Sequence, residues 1–232
     1  MNTQIIALGG GGFSDENNTL LDDYILSQAS TRKPKVCFLP TASGDSENYV
    51  VKFYLRFLSR GAKVSYLSVF NSSGVKDLEG FLMSQDIIYV GGGNSLNLLA
   101  LWREHGIDTI LKEAYTNGTI LAGASAGMVC WYREFLTDSY IGNMLKPYYK
   151  GLNIISESCC PHYDDPRRIT EYRGCIKNGT LSSGIGVDGC VGVHYIDGQI
   201  KRVVSSVPKK TAYNVYKENN KVKEIPLEVE LL

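Results

Sequence analysis

The sequence predicts an α/β fold in which a parallel central sheet is covered by helices on both faces, giving three layers. Short segments rich in Ile, Val and Leu recur along the first half of the chain, bounded by Gly, Pro or Asn, which is typical of buried strands. Amphipathic segments separate them, as the strand–helix repeats of a parallel sheet require. The last third changes to alternating, hairpin-like segments, so we expect a β-rich C-terminal part.

The elements are predicted in chain order. The apolar segments predict strands at 4–8, 35–39, 63–69, 86–90 and 119–122. The segments between them predict helices near 18–29, 46–60, 95–102, 107–116 and 126–134. VGVHYI and QIKRVV flank Asp197-Gly198, a pair that favours a two-residue hairpin turn. TAYNVYKE and KVKEIPLEV predict further antiparallel strands. Because the sequence contains no repeat and no linker, residues 1–232 are predicted to form one domain.

Composition excludes several classes of partner. The 232 residues are 44% hydrophobic and 21% charged, and Lys+Arg and Asp+Glu both count 24, so no basic excess points to nucleic acid or an anionic membrane. The longest apolar runs fall short of the roughly 18 residues of a membrane span. The N-terminal MNTQIIALGGGG lacks the charged region of a signal peptide. We therefore expect a cytoplasmic protein whose six cysteines are reduced.

A five-residue motif predicts a nucleophile. Gly123-Ala124-Ser125-Ala126-Gly127 fits G-x-S-x-G between a predicted strand and a predicted helix, which is the context of a nucleophile elbow. The sharp turn requires small neighbours, and all four are Gly or Ala. The amide of Ala126 could donate to an oxyanion. The alternative for the motif alone is a tightly packed structural turn.

A glycine-rich loop is predicted to face this turn. Gly91-Gly92-Gly93-Asn94 follows the strand predicted at 86–90, and the carboxyl ends of parallel strands meet at one edge, where ligands bind. The amide of Gly92 is therefore a candidate for the second oxyanion donor. The alternative, a phosphate cradle, lacks the Lys-Ser/Thr of a P-loop and a complete G-x-G-x-x-G. A second glycine run, 9–12, lies at the same edge and either lines the pocket or turns the chain.

A serine nucleophile needs a base, and histidine is the usual one. His105 lies at a predicted helix end, and His194 lies in the alternating strand VGVHYI, where a structural role is expected. His162 lies in an irregular segment, Cys-Cys-Pro-His-Tyr-Asp-Asp-Pro, and catalytic residues concentrate on such loops. By elimination, His162 is the candidate base.

Two aspartates are candidates for the acid that orients the imidazole. Asp188 ends an apolar run before the hairpin, and Asp138 is the other option. Asp164 and Asp165 adjoin His162 in sequence and are interpreted as caps for a helix starting at Pro166.

These motifs together resemble the peptidase E family, the aspartyl dipeptidase group, which is related in fold to class I glutamine amidotransferases. The resemblance spans nearly the whole chain and rests on the glycine-rich first turn, Leu39-Pro40-Thr41-Ala42, Val90-Gly91-Gly92-Gly93-Asn94, Ala122-Gly123-Ala124-Ser125-Ala126-Gly127 and Cys160-Pro161-His162-Tyr163. It implies a flavodoxin-like core, a Ser-His-acid catalytic set and no metal or other cofactor. It maps the nucleophile to Ser125 and the base to His162. Asp188 falls where a glutamate of the family lies and is favoured as the acid, while Asp138 is near another proposed position.

The resemblance also implies a substrate class. Characterised members of the family cut dipeptides with an N-terminal Asp, and arginine matches a carboxylate in a bidentate way. Arg167, Arg168 and Arg173 follow the His162 loop, and Arg168 and Arg173 are the candidate substrate-binding residues. The chain resembles a peptidase E-like branch more than the aspartyl dipeptidases proper, which leaves the preference for Asp-X open. Family members are often described as dimers, so a homodimer is a further expectation.

The predicted function is that of a serine peptidase acting on short peptides, with Asp-X dipeptides as the first substrates to test. Two alternatives stay open: an esterase or amidase with the same triad, and a non-catalytic binding protein with the same fold. A cysteine amidotransferase-type reaction would need Cys at position 125, whereas Cys130 lies within the following predicted helix.

Overall fold

A computed structural model describes residues 2–15, 18–71 and 74–232 and contains two β-sheets flanked by helices. The strands are β1 (Gln4–Leu8), β2 (Lys35–Leu39), β3 (Lys63–Tyr66), β4 (Ile87–Val90), β5 (Ile120–Ala124), β6 (Tyr132–Thr137), β7 (Lys146–Tyr148), β8 (Ile155–Pro161), β9 (Gly184–Val187), β10 (Val191–Ile196), β11 (Gln199–Ser205), β12 (Ala212–Glu218), β13 (Lys221–Pro226) and β14 (Glu230–Leu231). The helices are α1 (Leu20–Ser27), α2 (Glu47–Leu58), α3 (Leu78–Met83), α4 (Ser95–Glu104), α5 (Ile107–Thr116), α6 (Ala126–Val129) and α7 (Pro166–Asn178).

The first sheet contains the predicted parallel strands. Its order is β14-β11-β10-β1-β5-β4-β2-β3, and β1, β5, β4, β2 and β3 run parallel to one another. The parallel strands therefore stand in the order 1-5-4-2-3, whereas those of flavodoxin stand in the order 2-1-3-4-5. The difference is that β1 pairs with β5 here and not with β2. The hairpin predicted around Asp197-Gly198 is confirmed as β10–β11. Both turn residues have positive φ, 50° and 75°, as a turn of this type requires.

Helices cover both faces of the parallel strands, as predicted. Alternate strand residues point to opposite faces, and nearly all of those in β1, β2, β4 and β5 are buried, whereas β3, at the edge of the sheet, is partly exposed. One face packs against α1 and α2, and the other against α3, α4 and α5. The largest fully buried helix side chains in these two layers are Phe53 and Phe57 on the first face and Trp102 on the second.

The second sheet is the main departure from the predicted elements. Its order is β13-β12-β9-β8-β6-β7, with β6, β8 and β9 parallel. The helix predicted at 126–134 ends at Val129, because Tyr132 begins β6 and pairs with β8. The aromatic and bulky residues of this segment favour a strand once a partner strand is present. The predicted strands after position 210 are confirmed as β12 and β13.

Sheet register brings the functional loops together. Leu8 pairs with Ala124, and Val90 pairs with Gly123 and Leu39, so β1, β2, β4 and β5 end at the same edge. The second sheet reaches this edge through β8, whose end delivers His162. The backbone N–H of His162 donates to the carbonyl of Gly9 at 2.9 Å.

All six cysteines lie within the described residues and are free thiols, four of them buried. In the part of the chain that the structure describes, no helix combines the length and the apolar character needed to cross a bilayer.

Candidate active site

Ser125 occupies a strained turn between β5 and α6. Its φ of 56° and ψ of −108° lie outside the common regions for a residue with a side chain. The turn is held by the Ser125 amide, which donates to the carbonyl of Leu8 at 3.0 Å. A Cβ built on Gly123 would lie 2.5 Å from the carbonyl oxygen of Gly127, and one built on Gly127 would lie 2.0 Å from that of Val90. Close backbone packing therefore explains the glycines of the motif, and the strained serine between them is the kind of outlier that points to function.

His162 lies against this serine. Its Nε2 is 2.9 Å from Oγ of Ser125, although 37 residues separate the two in sequence. The imidazole packs on the first glycine loop, since a Cβ built on Gly10 would lie 2.6 Å from Cε1 and 2.8 Å from Nδ1 of the ring. The glycine run 9–12 therefore turns the chain after β1 and leaves room for the imidazole, and it is not among the residues that line the cavity in front of Ser125.

The surroundings of His162 favour its neutral form. Burial lowers the pKa of His162 below its ordinary value of 6.5, and the nearby guanidinium of Arg168 lowers it further. The carboxylates of Asp164, Asp138 and Asp15 act in the opposite direction without reversing the shift. A neutral imidazole at pH 7 can accept the proton of a serine hydroxyl.

This shift predicts the pH dependence of activity. If His162 is the base, kcat/KM should rise with pH as the ring loses its proton, with the midpoint below pH 6.5 and a plateau by pH 7, because the pKa of His162 is lowered. The measurement is kcat/KM on one peptide from pH 4.5 to 8 at constant ionic strength, with tryptophan fluorescence reporting that the fold is intact throughout. An acid limb centred above pH 7 would contradict the prediction.

The two predicted acids do not hydrogen-bond to His162. The carboxylate of Asp188 accepts from the backbone N–H of Thr211 at 3.1 Å, because the strand pair β9–β12 continues to this point. The carboxylate of Asp138 forms an ion pair with the largely buried Arg168 at 2.5 Å. Among the described residues, no carboxylate hydrogen-bonds to Nδ1 of His162. Of the two, Asp138 is among the main charges that raise the pKa of His162.

The adjoining aspartates divide between two roles. Asp165 caps α7, with its side chain accepting from the amide of Arg167 at 2.9 Å, as predicted. Asp164 has a different role from the predicted cap. It accepts from the amide of Gly189 at 3.0 Å and pairs with Lys210 at 2.5 Å, which ties the His162 loop to the segment after β9.

The predicted oxyanion donors lie on either side of Ser125. Ala126 begins α6, and the first amides of a helix have no intrahelical acceptor. Gly92 contacts the serine, since a Cβ built on it would lie 3.5 Å from Cβ of Ser125. The N–H of Gly92 is engaged by Oη of Tyr49 at 3.1 Å.

A cavity of about 420 Å³ opens in front of the serine and the histidine. Residues from the ends of four strands and the start of α2 line it: Ser14, Asp15, Ser46, Asn48, Tyr49, Lys52, Gly92, Gly93, Ser125 and His162. Neither predicted arginine lines it, because Arg168 is buried against Asp138 and Arg173 pairs with Glu224 at 3.4 Å on α7. Arg167 is largely exposed.

Sequence reasoning missed the residues that α2 contributes to this cavity, Asn48, Tyr49 and Lys52. A signal was present, because α2 follows β2 and the first turns of such a helix lie at the carboxyl edge of the sheet.

Other nucleophiles and metal groupings are absent from the described site. The Cys130 thiol is fully buried, and burial raises its pKa well above the ordinary range, which keeps it protonated and unreactive. Within residues 2–15, 18–71 and 74–232, no three His, Cys, Asp or Glu side chains are grouped so that they could hold a metal ion.

Comparison with known proteins places the chain in a family. The sequence model of peptidase family S51 matches residues 5–203. The uncharacterized peptidase YgaJ of Bacillus subtilis (strain 168) is 46% identical over 231 residues, which cover 99% of each chain. Peptidase E of Streptomyces coelicolor is 26% identical over 140 residues, covering 60% of this chain and 56% of that protein.

A solved structure supports the fold. The crystal structure of a peptidase from an acI-B1 Actinobacterium superposes with a TM-score of 0.73 at 18% identity, covering 99% of this chain and 95% of that one. At this identity the likeness shows the fold, whereas the family match and the full-length relative show descent. The chain belongs to peptidase family S51 and is a serine-type peptidase.

Proposed function

We propose that this peptidase hydrolyses short peptides through an acyl-enzyme formed on Ser125, with His162 as general base and then general acid. The observation that carries the proposal is the 2.9 Å contact between Nε2 of His162 and Oγ of the strained Ser125. A nucleophile held within hydrogen-bonding distance of a neutral imidazole is the arrangement that acyl transfer needs.

The reaction proceeds in two steps. Oγ of Ser125 attacks the scissile carbonyl while its proton moves to Nε2 of His162, and the carbonyl electron pair moves onto oxygen. The amide of Ala126 is the proposed donor to that oxyanion, because the N–H of Gly92, the other predicted donor, already donates to Oη of Tyr49. His162 then protonates the leaving amine as the C–N bond breaks and the acyl-enzyme forms. A water molecule deprotonated by His162 attacks the acyl carbonyl, and His162 returns a proton to Oγ of Ser125 as the ester bond breaks and the acid product leaves.

We assign the stabilisation of the protonated imidazole to Asp138 rather than Asp188. The charge of Asp138 raises the pKa of His162, as does the larger contribution of Asp164, whereas the guanidinium of Arg168, which pairs with Asp138, lowers it. The carboxylate of Asp188 is engaged by Thr211. Contacts at a catalytic histidine often tighten when substrate binds, so the separation seen without substrate is compatible with this role.

The charges on the cavity wall support short peptides with charged ends as substrates. Asp15 suits an α-ammonium group, and Lys52 suits a carboxylate, either the side chain of an N-terminal Asp or the C-terminus of a dipeptide. Lys52 already donates to the carbonyl of Ser14 at 3.4 Å, a long contact that a substrate carboxylate can replace.

A substrate panel with a charge-removing variant tests this assignment. Lys52→Met is expected to lower kcat/KM for Asp-X dipeptides by about 10- to 100-fold, the value of one charge-assisted hydrogen bond. N-terminally neutral, C-terminally amidated peptides should be almost unaffected. Lys63→Met, at the amino end of β3, is the matched control. An equal loss of kcat/KM on both peptide classes would show that Lys52 does not bind the substrate carboxylate.

The same panel separates peptidase action from the other functions of this fold. It includes blocked peptides and aryl esters, with Ser125→Ala as the background control. A fluorophosphonate probe should label the native protein at Ser125 and leave Ser125→Ala unlabelled. Hydrolysis of esters without any peptide would support the esterase alternative, and absence of both labelling and turnover would support a binding protein.

A further inference from the structure

Tyr49 is the one aromatic side chain lining the cavity among the described residues, and the proposed reaction so far does not use it. Its Oη accepts from the N–H of Gly92 at 3.1 Å. A Cβ built on Gly92 would lie 3.5 Å from Cβ of Ser125 and 3.9 Å from Oη of Tyr49. The phenol oxygen and Ser125 therefore flank the same backbone position, the Gly92 amide that the sequence predicts to face the oxyanion.

The ring of Tyr49 is held in place by aromatic neighbours. It stacks on Phe13 with centroids 5.0 Å apart and meets Phe38 edge-on at 5.1 Å. A donor fixed before the reaction loses little freedom in the transition state, which is the condition for effective electrostatic stabilisation.

The phenol can donate a hydrogen bond into the cavity. A hydroxyl accepts through its lone pairs and keeps one proton to donate, and here Gly92 donates to the oxygen. Burial raises the pKa of Tyr49, and the hydrogen bond from Gly92 and the nearby hydroxyl of Ser14 offset only part of this rise. Tyr49 therefore stays protonated at neutral pH.

We propose that Tyr49 is a catalytic residue whose hydroxyl donates a hydrogen bond to the oxyanion of the tetrahedral intermediate, with the Gly92 amide polarising and aiming that hydroxyl. The inference rests on the proposed acyl transfer at Ser125. The phenol keeps its proton throughout: the serine proton still moves to His162, and the electron pair of the carbonyl still moves to the oxygen that Tyr49 contacts.

Tyr49→Phe tests the proposal, because the direction in which kcat changes distinguishes a hydroxyl that donates to the oxyanion from one that only accepts from the Gly92 amide. If Tyr49 donates to the oxyanion, kcat should fall by about 100-fold with KM nearly unchanged, as when one oxyanion donor is removed. If Tyr49 only occupies the Gly92 amide, its removal frees that amide, and kcat should stay level or rise. A level or raised kcat would overturn the proposal.

Controls separate this test from folding and from the proposed function. Phenylalanine preserves the ring contacts of Tyr49, and thermal unfolding checks the fold. Tyr54→Phe, on the same helix but packed against Tyr66, is the matched control and should leave kcat unchanged. The rate of labelling by a fluorophosphonate, whose phosphonyl oxygen occupies the oxyanion position, should fall in Tyr49→Phe and is readable even where turnover is slow. Unchanged labelling would also overturn the proposal, whereas full peptide hydrolysis by Ser125→Ala would sink the proposed function itself.

Discussion

Replacing Ser125 with Ala is expected to lower kcat for peptide hydrolysis by at least about 10⁴-fold, the scale at which serine peptidases lose their nucleophile. The side chain of Ser125 opens into the cavity and contacts His162, and alanine fits the same turn. The free energy of unfolding should therefore change by less than about 1 kcal/mol. Residual hydrolysis should reflect binding and oxyanion stabilisation alone, and KM should stay close to that of the native protein.

The measurement is single-turnover and steady-state hydrolysis of the best peptide from the panel, with urea unfolding of both proteins in parallel. Mass spectrometry of an intact-protein sample quenched in acid should detect an acyl adduct on the native protein only. Retention of a tenth or more of the native kcat by a folded Ser125→Ala protein would remove Ser125 as the nucleophile.

His162→Gln should produce a loss of similar size, at least about 10³-fold in kcat. Glutamine can hydrogen-bond to Oγ of Ser125 but cannot accept its proton at neutral pH, so the variant isolates proton transfer from packing. The double variant Ser125→Ala/His162→Gln should be no slower than the Ser125→Ala variant, because residues that act as one unit lose their effect together.

His105→Gln provides the matched histidine control, since His105 lies exposed at the end of α4 and has no place in the reaction. It should retain native kcat and KM. Multiplicative losses in the double variant, or an equal loss in His105→Gln, would show that His162 and Ser125 do not act as a unit.

Local chemistry explains what could be predicted along the chain. The parallel strands follow from continuous apolar runs, and the β10–β11 hairpin follows from Asp197-Gly198, both of which depend on neighbours in sequence. The second sheet could not be predicted this way. The segment of β6 forms a strand because β8, some twenty residues later in the chain, pairs with it. The preference of a segment for strand structure depends strongly on such a partner.

The same limit applies to the charged residues of the site. Arg168 was expected to meet substrate, but its buried position commits it to Asp138, because a buried cation needs a paired anion. Lys52 was not predicted to line the cavity, since its place there follows from where β2 lies in the sheet and how α2 begins.

By itself, the sequence determined the tight turn at Ser125, because the small residues around it are required by backbone contacts within a few residues and with one neighbouring strand. It also narrowed the base to His162 by excluding the other histidines. Only the tertiary structure decided that Nε2 of His162 lies 2.9 Å from Oγ of Ser125, that neither predicted acid hydrogen-bonds to the imidazole, and that Oη of Tyr49 accepts from the Gly92 amide. Side chains delivered by different strands meet according to the order and register of the sheets, and that order is set by packing across the whole domain.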